Sequence, residues 1–444
     1  MKSKYLWIML LSMALLSCKK FLDVKPKGLV IPEKMIDYER LLNSREMTGT
    51  FPVNILRFTD DFYDGSFGEL DASPDANGYY WRRQLTVDEK NDPDVWGPLY
   101  NRIYHANVII NGVLKSTDAP EAEKKRVYGE ALVHRATYYL DLLTVFAKAY
   151  NPASAATDPG MPMPVGTDVT GKAPARSSVK ETLESMITDL KAAAEVLPLT
   201  NINSTRINKY VAYGVLSRVY LYIADFTNAE KYTELALEAP HTFLDYNNYG
   251  STYEVPPYEL SPEVLWYRMG VDAEGPDYML YSDDLKTYFN ANDLRFEFLT
   301  AISNAGLQRG GFLTFYNFGI TFPELYLTKA ELLARKGKTA DAMALINTIR
   351  KNRFNIPDPG LTAANPEDAL QKVLAERRRE MAYSGMRWFD MKRLDQEGRI
   401  PEIKRVNKET GKVEAILAPH SPNYTFEIPI RVLKFNPGMV KNHP

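Results

Sequence analysis

Two stretches of about thirty residues share one pattern, and this repetition constrains the fold more than any other feature. The first stretch, VAYGVLSRVYLYIADFTNAEKYTELALEA, begins at Val211, and the second, FPELYLTKAELLARKGKTADAMALINTIRKNR, begins at Phe322. Each has apolar residues at three- and four-residue spacing, then a short polar turn, then a second helical run. Each stretch therefore predicts two antiparallel helices joined by a tight turn.

Small residues near the two turns support this interpretation. Aligning the stretches places Ala224 and Ala229 of the first opposite Ala334 and Ala340 of the second. Small side chains at such positions let two antiparallel helices approach closely. The arrangement resembles the tetratricopeptide helix pair, although the match is loose and the full signature of that repeat is missing.

Three further segments show helical periodicity with one apolar face. Apolar residues recur at three- and four-residue spacing over 95–114, 128–146 and 178–197. Helix pairs over 95–146 and 178–223 are expected to stack with the two similar stretches into a curved scaffold. The sequence therefore predicts a mostly α fold of tetratricopeptide-like helix pairs, with long irregular insertions and little β structure.

The insertions lie near 50–94, 151–176 and 240–320, where the helical periodicity is lost. The second of them carries five prolines and few apolar side chains. Long loops on a helical scaffold usually carry the function of a protein. We therefore expect a single helical domain over 32–444 whose insertions contain the binding residues.

The N-terminal segment is typical of a targeting signal. Two lysines precede an apolar run over 5–16, which is too short to cross a bilayer as a helix. The sequence Leu-Leu-Ser-Cys that ends at Cys18 resembles the lipobox of bacterial lipoproteins, in which the cysteine is acylated. We expect a cleaved signal peptide over 1–17, lipid attachment at Cys18 and a tether over 18–31. The alternative is an ordinary secretory signal with an incidental cysteine.

The composition argues against two other kinds of protein. Cys18 is the only cysteine in the 444 residues, so a lipidated Cys18 leaves no thiol for a disulfide. The 54 basic and 56 acidic residues give a formal charge of −2, whereas nucleic-acid-binding proteins carry a strongly basic face. Beyond the signal, no apolar run reaches the ~18 residues of a membrane-spanning helix. We expect no nucleic-acid partner, and membrane attachment through lipid alone.

Aromatic and acidic residues in the insertions are the candidate ligand-binding groups. YYWRRQ at 79–84 holds three adjacent aromatics outside any predicted helix, and an aromatic face stacks on the C–H face of a sugar ring. FTDDFYDGSFGELD at 58–71 offers carboxylates for paired sugar hydroxyls. The alternatives are that the aromatics cover the core and that the acidic loop binds calcium or is merely solvated. The candidate ligand-binding residues are Asp60, Asp61, Tyr79, Trp81, Trp266 and Tyr278.

Charged residues of both signs cluster at 376–390. Glu376 and Glu380 share one helix face, as a pair of carboxylates for acid–base work would. Arginines this close hold both carboxylates ionised, which favours a structural ion-pair network over a catalytic pair. The five histidines are scattered without metal-ligand spacing, and no G-x-S-x-G motif is present. The sequence therefore predicts no catalytic set, no metal site and no cofactor.

Four stretches resemble the SusD/RagB family of nutrient-binding outer-membrane lipoproteins. They are ERRREMAYSGMRWFDMKRL at 376–394, WGPLYNRIYHANVIINGV at 96–113, GEALVHRATYYLDLLTVFAKAY at 129–150, and the ending IPIRVLKFNPGMVKNHP. Their order and spacing are more specific than any one of them. With the lipobox and the helix pairs, the resemblance covers nearly the whole mature chain.

This resemblance implies a mostly α-helical fold built on four tetratricopeptide-like units, with ligand-binding loops on one side. It implies a SusC-like TonB-dependent transporter as partner, and an oligosaccharide or, as in the RagB branch, a peptide as ligand. It further implies an outer-membrane, lipid-anchored protein that faces the cell exterior and has no enzymatic activity. The chain departs from the family in being compact, and in carrying basic Lys19 and Lys20 where surface lipoproteins often carry acidic residues.

Two alternatives from other functional classes remain at this point. A lipid-anchored glycoside hydrolase on a helical fold would need two carboxylates ~5–9.5 Å apart across a cleft. A purely structural tetratricopeptide scaffold would need no exposed aromatic platform.

Overall fold

The computed structural model describes residues 32–168, 171–249, 255–270, 280–303, 306–309, 317–355 and 358–443. The predicted signal peptide over 1–17, the tether over 18–31 with Cys18, and Tyr278 lie outside the described residues. In the described part, the helices in chain order are α1 (Met35–Leu42), α2 (Arg45–Thr48), α3 (Pro74–Tyr79), α4 (Trp96–Gly112), α5 (Glu121–Phe146), α6 (Val179–Val196), α7 (Lys209–Tyr222), α8 (Phe226–Leu237), α9 (Asp283–Lys286), α10 (Arg295–Leu299), α11 (Phe322–Arg335), α12 (Thr339–Arg350), α13 (Pro366–Glu380), α14 (Arg387–Asp395) and α15 (Ile430–Phe435).

The strands in these ranges are short and pair into small sheets. In chain order they are β1 (Gly49–Phe51), β2 (Phe62–Tyr63), β3 (Pro159–Pro162), β4 (Arg176–Ser178), β5 (Val264–Trp266), β6 (Met269–Gly270), β7 (Leu280–Tyr281), β8 (Thr300–Ser303), β9 (Gly306–Arg309), β10 (Ile320–Thr321), β11 (Ile403–Val406) and β12 (Val413–Leu417). One sheet has the order β2-β7-β9-β8, and the others are the pairs β1-β6, β5-β10, β3-β4 and β11-β12. The β2-β7 pair joins the 50–94 and 240–320 insertions to each other, and the β5-β10 pair joins two parts of the 240–320 insertion next to the start of α11.

The helices form one continuous stack. Neighbours in the chain pack in turn, α4 on α5, α5 on α6, α6 on α7 and α7 on α8. Helix α8 then packs on α11, which packs on both α12 and α13. A single hydrophobic core runs through this stack and includes most of the buried side chains of the 50–94 insertion. The prediction of a mostly α fold of tetratricopeptide-like helix pairs is confirmed.

Asn365-Pro366-Glu367 predicts the start of a helix that runs to Ser384, with Gly385 at its C-terminal end. Helix α13 begins at this point but ends earlier. The Asn365 side chain accepts a hydrogen bond from the Asp368 backbone N–H, and Pro366 occupies the first helical position. The predicted helix continues to Ser384, but α13 ends at Glu380. The segment after it is an irregular turn that reaches Gly385 at a φ of 84°.

The turns inside the two similar stretches have the same backbone geometry. Ala224 has a φ of 57° and Gly337 a φ of 77°, so both occupy the left-handed region one residue past the C-cap. Equivalent hydrogen bonds close both turns, from Asp225 N–H to Tyr220 O and from Lys338 N–H to Leu333 O. Each turn is a Schellman motif, with alanine in the first stretch at the position that glycine favours.

This geometry corrects the predicted alignment of the alanines. Ala340 is exposed, and the buried alanine equivalent to Ala229 is Ala342, because each is the fourth residue of its helix. Ala224 corresponds to Gly337 and not to Ala334. The prediction matched alanine to alanine, whereas the register is set by the residue that adopts positive φ.

Candidate functional site

A cavity of about 900 Å³ lies between α9, α13 and β11, with the start of the 50–94 insertion at its base. Asp60, Phe62 and Tyr79 line its inner end, where side chains are buried. Exposed residues of α9 and of the segment after β11 line its mouth, among them Asp283 and Lys408. The volume falls within the ~300–1,000 Å³ of typical ligand pockets, so this cavity is the candidate site.

The inner end is built from arginine–aspartate pairs. Arg387 Nε and Nη2 donate to Asp60 Oδ1 and Oδ2 at 2.7 and 2.6 Å, in a bidentate pair. Arg378 Nε donates to Asp61 Oδ1 at 2.7 Å, and its Nη1 donates to Asp284 Oδ2 at 2.6 Å. Arg378 therefore connects the buried end of the cavity with its mouth.

Burial and these arginines act in opposite directions on the two aspartates. Burial opposes ionisation of Asp60, but Arg378 and Arg387 outweigh it and hold the pKa of Asp60 well below its usual range. Burial raises the pKa of Asp61, and Asp60 beside it acts in the same direction. Asp60 lines the cavity with both oxygens engaged by Arg387, and Asp61 lies behind it. The two aspartates therefore position arginine side chains. This differs from the prediction that they bind sugar hydroxyls.

Tyr79 and Trp81 hold an arginine between them. The Arg405 Cζ atom lies 4.0 Å from the centroid of the Tyr79 ring and 4.3 Å from that of Trp81. Trp81 Nε1 donates to Phe58 O at 2.7 Å, and the Trp81 side chain is 1% exposed. The predicted exposed platform is therefore not found at these residues, because their rings are buried around a guanidinium group and not turned to solvent.

Arg405 lies on β11, and its side chain binds the backbone of the 50–94 insertion. Its guanidinium group donates to four carbonyl oxygens at 2.6–3.1 Å, those of Tyr79, Phe62, Arg57 and Thr59. Burial lowers the pKa of Arg405. The arginine thus fastens the C-terminal hairpin to the insertion, and the aromatic rings cover its two faces.

Trp266 is also a core residue. It is 1% exposed on β5, and its ring makes an edge contact with His134 at 5.8 Å between centroids. The Arg268 Cζ atom lies 5.9 Å from the Trp266 ring centroid. The predicted stacking role is not supported for Trp266, because the β5-β10 pairing and the helices cover its ring. The structure does not bring it near the cavity at Asp60.

Two tyrosines that the sequence analysis did not select line the cavity. Tyr63 and Tyr288 are half-buried, so each offers part of its ring to the cavity. Lys408 Nζ lies 4.2 Å from the Tyr63 centroid, and Arg378 Cζ lies 4.6 Å from that of Tyr288. Tyr63 stands in the acidic stretch quoted above, two residues past Asp61, and that pattern was the only signal that pointed to it. Nothing local in the sequence distinguishes Tyr288.

The charged cluster near Glu376 is a separate, buried ion-pair network. Glu376 Oε1 lies 2.7 Å from Arg295 Nη1, and its other oxygen accepts from Arg350 and Arg379. Burial opposes ionisation of Glu376, but Arg295 and the other arginines lower its pKa to about 2. Burial likewise opposes ionisation of Glu380, and its arginine partners lower the pKa of that carboxyl too. The predicted ion-pair network is confirmed.

A second cavity, of about 430 Å³, is mainly apolar. Trp96, Tyr100 and Tyr104 follow one another along α4 on one side of it, and Phe435 and Met439 lie on the other. Its walls include prolines of the 151–176 insertion, which Tyr100 holds by donating to Pro162 O at 2.8 Å. This cavity has few free hydrogen-bonding side chains, so the cavity at Asp60 suits a polar ligand better.

Two findings concern only the part of the chain that the structure describes. No three His, Cys, Asp or Glu side chains there come together in a group that could hold a metal ion. In the acidic stretch at 58–71, Asp60 and Asp61 accept hydrogen bonds from arginines. Carboxylates that bound calcium would face the cation instead. No helix in these ranges is long and apolar enough to cross a membrane.

Two family models match the sequence. Residues 20–221 match the SusD-like family model described as "Starch-binding associating with outer membrane". Residues 320–444 match the model described as "SusD family". Among curated proteins, the chain is 21% identical over an alignment of 475 residues to SusD-like protein P38 of Formosa agariphila, covering 88% of this chain and 90% of that protein.

Solved structures share the fold over nearly the whole chain. A putative sugar binding protein from Bacteroides vulgatus superposes with a TM-score of 0.73 at 21% identity, covering 94% of this chain and 99% of that one. Surface glycan-binding protein A from Bacteroides uniformis superposes with a TM-score of 0.71 at 19% identity, covering 92% and 99%. A SusD superfamily protein from Bacteroides thetaiotaomicron gives 0.72 at 19% identity, covering 93% and 100%.

Proposed function

The chain belongs to the SusD/RagB family, and on that premise we propose that it captures oligosaccharides at the cell surface for import. In this proposal residues 32–444 form the binding domain, and a lipid on Cys18 anchors it to the outer membrane, facing outward. The ligand then passes to a TonB-dependent transporter of the SusC type. A peptide ligand, as in the RagB branch, is the second candidate.

The observation that carries the proposal is the cavity with two half-buried tyrosines and many hydrogen-bonding groups. Phenol rings such as those of Tyr63 and Tyr288 can stack on the C–H faces of sugar rings. Gln371 adds a neutral amide that can donate to and accept from hydroxyl groups. A site of this kind binds an oligosaccharide through stacking of tyrosine rings on sugar rings and through many hydrogen bonds of modest strength.

The ionisation of three of the cavity carboxylates supports binding without catalysis. Hydrogen bonds from Lys408 and Lys286 lower the pKa of Asp283, and a hydrogen bond from Arg399 lowers that of Glu367. The pKa of Asp60 is low as well, for the reason given above. A glycoside hydrolase needs one carboxylic acid whose pKa is raised, so these three groups are poorly suited to that role.

Stable anchoring requires more than one acyl chain, because each buried CH₂ contributes only ~0.8 kcal/mol. The proposal therefore expects radiolabelled palmitate to be incorporated into the wild-type protein and not into a Cys18→Ala variant. The variant should be recovered in the soluble fraction. Equal labelling of both proteins would contradict attachment at Cys18.

The binding site is tested by replacing the two tyrosines singly by alanine in the purified mature protein. We expect Tyr63→Ala and Tyr288→Ala each to weaken oligosaccharide binding about fivefold to tenfold, which corresponds to ~1 kcal/mol per ring contact. Tyr104→Ala, a half-buried tyrosine in the other cavity, is the matched control and should bind like the wild type. Release of reducing sugar by the wild-type protein would contradict a role without catalysis.

A further inference from the structure

The charges around the candidate cavity bear on which ligands it accepts. Cations and carboxylates are nearly equal in number along its walls. The cations are Arg378, Arg387, Arg399, Lys404, Arg405 and Lys408, and the carboxylates are Asp60, Asp283, Asp284, Glu367 and Glu402. The cavity therefore has almost no net charge, and what matters is whether any cation is free to meet a ligand.

Each cation at the inner end is engaged by at least one buried group. Arg387 is held by both oxygens of Asp60. Arg378 is held by the buried Asp61 at 2.7 Å and, toward the mouth, by the exposed Asp284 at 2.6 Å. Arg405 donates to backbone carbonyls and lies between two aromatic rings, as described above. An anionic ligand that recruited any of these guanidinium groups would leave a buried acceptor without its donor, which is costly.

The cations at the mouth also have carboxylate partners. Lys408 Nζ lies 2.8 Å from Asp283 Oδ1, and Lys404 Nζ lies 3.0 Å from Glu402 Oε1. Arg399 Nη1 lies 2.6 Å from Glu367 Oε1. These exposed pairs are individually weak, so a ligand anion can displace the carboxylate. The displaced carboxylate then stays beside the ligand anion and repels it, which removes the gain.

We propose that this cavity selects uncharged oligosaccharides over chains that carry uronate or sulfate groups. The inference rests on the proposed function and on one arrangement, namely that in the described residues each cation lining the cavity is already paired or hydrogen-bonded.

The test is affinity electrophoresis of the purified mature protein in gels that contain a single polysaccharide. Starch, xylan and galactomannan serve as neutral probes, and polygalacturonate and alginate as anionic probes. We expect retardation by at least one neutral probe and by neither anionic probe. The dissociation constant for the neutral ligand, measured by calorimetry, should change less than twofold between 50 and 500 mM NaCl. Salt in this range screens interactions between charges, and a neutral ligand makes none.

Three outcomes would overturn the proposal in distinguishable ways. Retardation by an anionic probe that is lost in Tyr63→Ala would overturn the selectivity and leave the oligosaccharide-binding function intact. Retardation by no polysaccharide, with binding of tryptic casein peptides instead, would overturn both. If the affinity for a neutral polysaccharide fell more than tenfold at high salt, ligand recognition would depend on charge, contrary to the proposal.

A substitution that frees one cation gives a second test. Asp283→Asn removes the carboxylate beside Lys408 and Lys286, so the variant should gain retardation by polygalacturonate that the wild type lacks. Asp341→Asn makes the same charge change at an exposed position of α12 outside the cavity and serves as the control. Equal mobility of the two variants in polygalacturonate gels would contradict the idea that ion pairing excludes anions.

Discussion

The guanidinium carbon of Arg405 lies 4.3 Å from the centre of the Trp81 ring, although the two residues are far apart in the sequence. The contact joins the C-terminal β11-β12 hairpin to the first insertion and defines one side of the candidate cavity. Since the ring is buried around a cation, Trp81 contributes to stability and is not available to a ligand.

We predict that Arg405→Met destabilises the protein by about 3–5 kcal/mol, because four carbonyls, three of them in buried hydrogen bonds, lose a donor at once. Arg399→Met, which removes exposed pairs at the cavity mouth, should cost about 1 kcal/mol or less. Urea unfolding of both variants gives the comparison. Equal stability of the two would contradict the role assigned to Arg405.

Trp81→Ala is expected to lower the free energy of unfolding by about 3–5 kcal/mol, as truncation of a buried tryptophan does. Oligosaccharide affinity measured well below the melting temperature should fall less than in Tyr63→Ala. Loss of binding with an unchanged melting temperature would instead restore Trp81 as a ligand platform.

Ala224 offers a stabilising substitution, because it occupies the left-handed region that glycine adopts without strain. We expect Ala224→Gly to raise the free energy of unfolding by about 0.5–1 kcal/mol. Ala229→Gly, inside α8 and fully buried, should lower it by about 1 kcal/mol or more. If both substitutions destabilised the protein equally, the Schellman geometry at Ala224 would be contradicted.

Lys392 should make the free energy of unfolding depend on pH in the neutral to alkaline range. Its Nζ atom donates to the carbonyls of Thr144 and Ala147, at 2.9 and 2.5 Å, at the C-terminal end of α5. Burial lowers the pKa of Lys392 from 10.5 to about 7. Between these two values the unfolded chain binds the proton and the folded chain does not, so the free energy of unfolding rises with pH.

The measurement compares the wild type with Lys392→Met at pH 7 and pH 9. Each of the two carbonyls keeps one other donor, Trp388 Nε1 or Thr425 Oγ1, so the variant should fold. The stability of the wild type relative to the variant should increase by about 2 kcal/mol over this range. A constant difference would contradict the lowered pKa of Lys392.

Glu376 should contribute to acid denaturation. Its pKa is about 2 in the folded chain against 4.5 ordinarily, so its stabilising effect is complete above pH 4.5 and is lost as the pH falls toward 2. Glu376→Gln should unfold more easily by about 3–5 kcal/mol at pH 7, because Arg295 loses a buried partner. The difference between wild type and variant should shrink between pH 4.5 and pH 2, and a pH-independent difference would contradict the assignment.

The sequence predicts the helical scaffold well because helices are local. Periodicity over 95–114 and 178–197, and the N-cap at Asn365, depend only on residues a few positions apart. The same locality explains the misaligned alanines. Ala224 and Gly337 are equivalent because both have a positive φ. The sequence does not show this equivalence, since only one of the two residues is glycine.

The site could be predicted only in part, since distant segments form it. Asp60 and its partner Arg387 are 327 residues apart in the sequence. The acidic and aromatic stretches at 58–84 do mark the right region of the chain, and Asp60 and Tyr79 line the cavity. Local sequence does not reveal that an arginine from β11 covers Tyr79 and Trp81, nor that Tyr63 and Tyr288 remain accessible.

The bidentate pair between Arg387 and Asp60 has a kinetic consequence. A wall fixed by buried ion pairs is already in its final shape before any ligand arrives, so little reorganisation has to precede docking. Association should then follow a single exponential phase at a rate proportional to ligand concentration, and differences in affinity between ligands should arise mainly in how quickly each one departs. Under the proposed function, a pre-formed site of this kind can pass its ligand on without a slow conformational step.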